Sequence, residues 1–115
     1  MRVTTDLWVS ALLRRVFGAG GFAAIAKRGA AEAGAVFLIV RGRLGEASLY
    51  GPAPQTSYDS ARPDERMFLQ LDIGEGQDAV DSRLQKEGRF DPDIWVVEIE
   101  PGAVPVEELI SMSPA

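Results

Sequence analysis

"AVFLIVR", residues 35–41, is the stretch on which the fold turns, because Val36 to Val40 is apolar at every position and lies between Gly34 and a "GRLGE" turn. A strand sends successive side chains to opposite faces, so a run with no polar alternate is buried on both and belongs in mid-sheet. On its N-terminal side "FAAIAKR" (22–28) is a second extended segment, and the small-residue link "GAAEAG" (29–34) predicts a hairpin between the two. On its C-terminal side "ASLY" (47–50) returns beside it, giving three antiparallel strands in succession.

Further out, Val9, Leu12, Leu13, Val16 and Phe17 recur at helical spacing and predict an amphipathic helix over residues 6–18. Thr4 or Thr5 caps it, Asp6 suits the positive end of the dipole, and glycines 18, 20 and 21 end it. "MFLQLDI" (67–73) alternates as a strand with one better-buried face. Residues 77–87 read as a short helix anchored by Val80 and Leu84 and ended by Gly88, with Phe90 closing over its end. "IWVVEIE" (94–100) is the last strand, with Trp95, Val97 and Ile99 on one face and Glu98 and Glu100 on a wet one. The expected fold is therefore α+β: an N-terminal helix, a mainly antiparallel sheet of about five strands, and a second helix before the last strand. All 115 residues fit one domain, with a tail expected to fray from about residue 102.

Composition excludes much chemistry. With no cysteine and no histidine the chain has no thiol or zinc-thiolate site, no serine triad and no histidine acid–base group. No apolar run reaches the roughly 18–20 residues that span a bilayer. Arg14-Arg15 followed by "VFGAGGFAAIA" imitates an export signal, but the glycines dilute it and the region reads better as a folded helix, so a cytoplasmic location is expected. Net charge is −5, divided between a basic stretch to residue 43 (seven basic and two acidic side chains) and an acidic remainder (five and fifteen). Attraction between these parts within one fold is the plainer reading, and the overall sign disfavours nucleic acid as a partner.

The candidate sites begin at "LYGPAPQTSYD" (49–59), the start of a long connection to Met67. Pro52 and Pro54 stiffen its first part, which can present Tyr50, Gln55 and Tyr58 to a ligand, while residues 56–65 form a polar, turn-prone tip. "RFDPDIW" adds Arg89, Asp91, Asp93 and Trp95 as a neighbouring group. Asp91 and Asp93 would share a divalent cation if a third acid approached, although Asp-Pro-Asp before a strand is ordinary turn chemistry. Gly74-x-Gly76-x-x-Ala79 imitates a dinucleotide fingerprint, but Glu75, Asp78 and Asp81 put negative charge where a pyrophosphate would sit. Three basic pairs, Arg14 with Arg15, Lys27 with Arg28 and Arg41 with Arg43, would form an anion patch if the helix and hairpin brought them together.

On "LWVSALLRR", "AGAVFLIV", "LYGPAPQ" and "RFDPDIWVVEIE" the chain resembles, over residues 3–100, a bacterial family of short proteins catalogued only as a domain of unknown function. Ile94 stands where the family pattern has leucine. The resemblance implies no activity, cofactor or catalytic residue. The expectation is a small non-catalytic binding or interaction module for another protein or a small ligand, with no cofactor and with monomer and homodimer both open. The alternatives are a small enzyme using carboxylates and a divalent cation, or a basic-patch nucleic-acid binder.

Overall fold

The computed structural model describes residues 3–54 and 66–113. Its elements run α1 (Thr5–Gly18), β1 (Phe22–Lys27), β2 (Val36–Arg41), β3 (Ala47–Pro52), β4 (Met67–Gln70), α2 (Gln77–Phe90), β5 (Trp95–Glu100), a 3-10 turn (Val106–Glu108) and β6 (Ser111–Met112). The class is α+β, as the periodicities predict. One six-stranded open sheet has the order β1-β5-β2-β3-β4-β6, mostly antiparallel, with β5 parallel to β2 and β6 parallel to β4.

The predicted hairpin of β1 and β2 does not form. β5 inserts between them, antiparallel to β1 (Ala23 opposite Ile99) and parallel to β2 (Leu38 opposite Val97). β1 and β2 therefore run in opposite directions, as a hairpin would, but with a strand between them. Their link, residues 28–35, passes against the entry to β5. The Ala30 amide donates to the Asp93 carbonyl, and Cβ atoms built on Gly29 and Gly34 would lie 2.1 and 2.5 Å from that oxygen. These glycines serve backbone crossing backbone rather than a tight turn.

The central strand behaves as its all-apolar run demands. Val36 and Leu38 face α1, in a core with Val9, Leu12, Val16, Trp95, Val97 and Ile99, whereas Phe37 and Ile39 face α2 with Leu49, Val80, Ile94 and Val96. The sheet is thus covered on both faces. The wet face expected of β5 is confined to its end, since Val96 is buried and only Glu98 and Glu100 emerge.

Helix α1 is capped by Thr4, whose hydroxyl accepts from the Leu7 amide, and it buries Val9, Leu12 and Val16 completely. Phe17, expected in that stripe, is half exposed and meets the Phe22 ring edge-on at 5.8 Å. Helix α2 does not end at Gly88 but continues to Phe90, which is 81% exposed rather than folded over the helix end. The C-terminal segment, expected to fray, crosses the α1 face instead: Val106 is buried and β6 pairs with β4. Its apolar residues Val106, Leu109, Ile110 and Met112 complete the α1-side core, which supplies the reason.

Candidate functional site

The proline-stiffened stem borders a concavity with an apolar floor. β2 and β3 pair from Arg41 opposite Ala47 to Leu38 opposite Tyr50 and stop there, although both strands run two residues further. Pro52 has no amide hydrogen to extend that ladder. On its other edge the stem stays paired, with Gly51 opposite Leu69 and Pro52 opposite Phe68, and the Ala53 amide donates to Met67 at 2.9 Å. Gly51 lets the Phe37 ring lie against the strand, for a Cβ there would be 2.9 Å from that ring.

The result is a cleft of about 290 Å³ between α2 and the sheet, floored by Phe37, Gly51 and Ile94 and walled by Pro52 and Leu71. Arg83, Glu87 and Asp91 form its charged rim. Arg83 and Glu87, one helical turn apart, form an ion pair at 2.7 Å. Asp91 caps the end of α2, and its carboxylate accepts the Asp93 amide at 3.0 Å, so the Asp-Pro-Asp motif makes a local turn. Among the described residues Asp91 has no cationic partner.

Of the residues singled out in the sequence, Pro52 and Asp91 meet at this cleft. Tyr50 and Trp95 lie on the other face, in the α1-side core. Trp95 is fully buried, donates its indole N–H to the Ala30 carbonyl at 2.7 Å, and carries the Arg28 guanidinium 5.2 Å from its ring centre. The Tyr50 hydroxyl donates to Glu107 at 3.4 Å. Burial raises the Tyr50 pKa above the ordinary phenol value, and the Glu107 charge and hydrogen bond add to the rise. Pro54, Arg89 and Asp93 are exposed, while Gln55, Tyr58 and the expected tip of residues 56–65 lie outside the described residues.

The basic pairs are dispersed. The Lys27 ammonium donates to the carbonyls of Pro92 and Ile94, both at 2.8 Å, and Arg28 pairs with Asp6, so these two sit where β5 begins. Arg41 pairs with Glu98 at 2.7 Å near the other end of β5, on the α2 face. Arg14 and Arg15 lie on α1, across the sheet from Arg41, and Arg43 is exposed in the β2–β3 turn. Of the ion pairs among the described residues, only Arg41–Glu98 joins the basic stretch to the acidic one.

Sequence reasoning passed over Phe37, Leu71, Arg83 and Glu87 as site residues. The i, i+4 spacing of Arg83 and Glu87 was the one available signal.

Residues 3–105 match the family described as Protein of unknown function (DUF1491). The chain belongs to that family. The solution structure of protein Atu0922 from A. tumefaciens is 45% identical, with a TM-score of 0.81 over 97% of this chain and 95% of that one. The crystal structure of a DUF1491 family protein from Caulobacter crescentus CB15 is 39% identical, with a TM-score of 0.70 over 87% and 88% of the two chains. An NMR structure of a DUF1491 family protein from the same organism is 34% identical, with a TM-score of 0.76 over 97% of each chain. No curated protein matches. The DUF1491 relatives support the fold throughout and attach no activity to it. Among the described residues no helix is long and apolar enough to cross a membrane.

Proposed function

We propose that this DUF1491 protein is a small non-catalytic interaction module, and that the cleft beside α2 receives an extended segment of a partner protein. An apolar side chain enters against Pro52 and Leu71, and a neighbouring lysine or arginine of the partner meets Asp91. The observation that carries this reading is the pairing of an apolar floor with a rim carboxylate that has no cationic partner among the described residues. A partner's cation there gains a charge-assisted contact without breaking an existing ion pair. The stem is held by β4 at one edge, so docking requires little ordering of the site.

The other readings find less support. Among the described residues no three acidic groups converge to hold a metal ion, and Asp91 is engaged with the Asp93 amide. The dispersed basic pairs offer no continuous track for a phosphate backbone.

The test is amide chemical-shift mapping with two synthetic hexapeptides, one placing leucine beside arginine and the other leucine beside glutamate. The basic peptide should shift Phe37, Gly51, Leu71, Glu87 and Asp91 in a saturable manner. Asp91→Asn retains an oxygen for the Asp93 amide but removes the charge, and should weaken that binding roughly tenfold, the scale of one charged hydrogen bond. Equal binding of both peptides, or shifts scattered outside the cleft, would refute the proposal.

A further inference from the structure

The two edges of the sheet are unlike. β6 is two residues long, whereas β1 runs from Phe22 to Lys27 and, among the described residues, pairs with β5 alone. A strand in that position carries a row of unpaired amides and carbonyls along its outer side, and folded proteins ordinarily guard such an edge with charge, proline or a bulge. In β1 the guards stand only at the far end. The register with β5 slips between Ile25 and Lys27, and the Lys27 ammonium is taken up by the carbonyls of Pro92 and Ile94. Phe22-Ala23-Ala24-Ile25 is left as a regular run with neither charge nor proline.

Apolar surface accompanies this open edge. Phe22 is half exposed, and so is Phe17 at the end of α1, whose ring meets it edge-on. Ile25 is only partly buried against the α1-side core. The pattern of large and small residues then says what fits. Two copies of one strand related by a two-fold axis oppose the same residues in reverse order. With the axis at Ala24, Ala24 faces its own copy, Ile25 faces Ala23, Phe22 faces Ala26 and Lys27 faces Gly21. Each bulky side chain meets an alanine, and no like charges are opposed.

We infer that this chain self-associates through β1, in an antiparallel two-fold pairing of residues 22–26 that joins two sheets into one, with a Phe17–Phe22 pair at each end of the contact. The interface is small. Stable complexes bury about 800 Å² per partner, and five residues of strand with one aromatic pair fall short of that, so the dissociation constant is expected on the order of 0.1 mM. Each copy has a net charge of −5 and the paired segment has none, so salt that screens the mutual repulsion should strengthen association. A contact through rim charges, such as those of the α2 cleft, would weaken instead. The inference is independent of that cleft, and either can fail alone.

Because the chain has no cysteine, a single introduced thiol reports the register. With oxidised glutathione, Ala24→Cys should give a disulfide-linked dimer, since directly opposed residues on neighbouring strands have Cα atoms about 4.5–5.5 Å apart, within disulfide reach. Phe22→Cys should not, because its two copies stand four residues apart along the strands, about 13 Å. Sedimentation equilibrium of the unaltered chain should show reversible dimerisation that tightens from 50 to 500 mM sodium chloride. Ala24→Lys sets two ammonium groups against each other at the axis and should weaken dimerisation roughly tenfold or more. Phe90→Ser, which removes an exposed ring on α2, should leave it unchanged. A chain that stays monomeric at 1 mM, association that weakens with salt, equal cross-linking of Ala24→Cys and Phe22→Cys, or equal weakening by Phe90→Ser and Ala24→Lys would overturn the inference.

Discussion

Tyr50 shows how one residue can be read correctly for its neighbourhood and wrongly for its orientation. Beside the proline stem it suggests a presented aromatic group, but strand alternation turns it to the α1 side, and it is the next position, Gly51, that faces the α2 cleft. Deciding which alternate faces which helix requires the sheet order, which sequence does not carry. The buried position has a consequence in pH. The folded pKa of Tyr50 lies above the unfolded value of about 10, so its stabilising contribution is complete below that value and is lost as pH rises through the folded pKa. Tyr50→Phe removes this dependence. Melting temperatures measured from pH 7 to 11 should show wild type ahead by a modest margin at neutral pH, from one hydrogen bond worth about 0.5–1.5 kcal/mol. That margin should shrink or reverse above pH 10. A constant margin across the range would mean that Tyr50 titrates like a solvated phenol.

At the scale of elements, what was legible in the sequence is what local periodicity controls. The stripe of α1, the doubly buried β2, the alternation of β4 and the strand character of β5 all follow from neighbours in the chain. The partner of β1 does not, because β5 reaches it from about seventy residues away and leaves no local trace. Two glycines make the point testable. Gly88 reads as a helix terminator, yet it lies inside α2 without a positive φ, and a Cβ there would meet nothing within 4 Å. Gly88→Ala should therefore stabilise the protein by about 0.5–1 kcal/mol, the helix-interior difference between the two residues. Gly29 reads as an ordinary turn residue, yet its Cβ would stand 2.1 Å from the Asp93 carbonyl oxygen. Gly29→Ala must push the crossing link off β5 and should cost more than about 3 kcal/mol, in the range of severe overpacking. Urea denaturation of both variants checks the pair. If Gly88→Ala destabilised by a similar amount, the helix would end where the sequence pattern first placed its end.

Across the whole molecule the sheet divides the apolar residues into two clusters that do not touch each other, one beneath α1 and one beneath α2. Such a division raises the question of whether the faces unfold separately. The central strands argue that they do not. β2 supplies Val36 and Leu38 to one cluster and Phe37 and Ile39 to the other, and β5 divides in the same way, with Trp95, Val97 and Ile99 against Val96. Either strand can leave its place only by opening both cores together. Because β5 also joins β1 to β2, its loss would cut the sheet in two. Cooperativity should therefore follow the backbone of β2 and β5 rather than the layers of side chains. Leu12→Ala on the α1 side, which should cost about 2–5 kcal/mol, and the smaller truncation Val80→Ala on the α2 side should each lower one and the same transition. Differential scanning calorimetry reads this directly. A single peak with equal calorimetric and van't Hoff enthalpies is expected in wild type and in both variants, whereas a second peak in either variant would show that one helix and its cluster melt while the sheet stands.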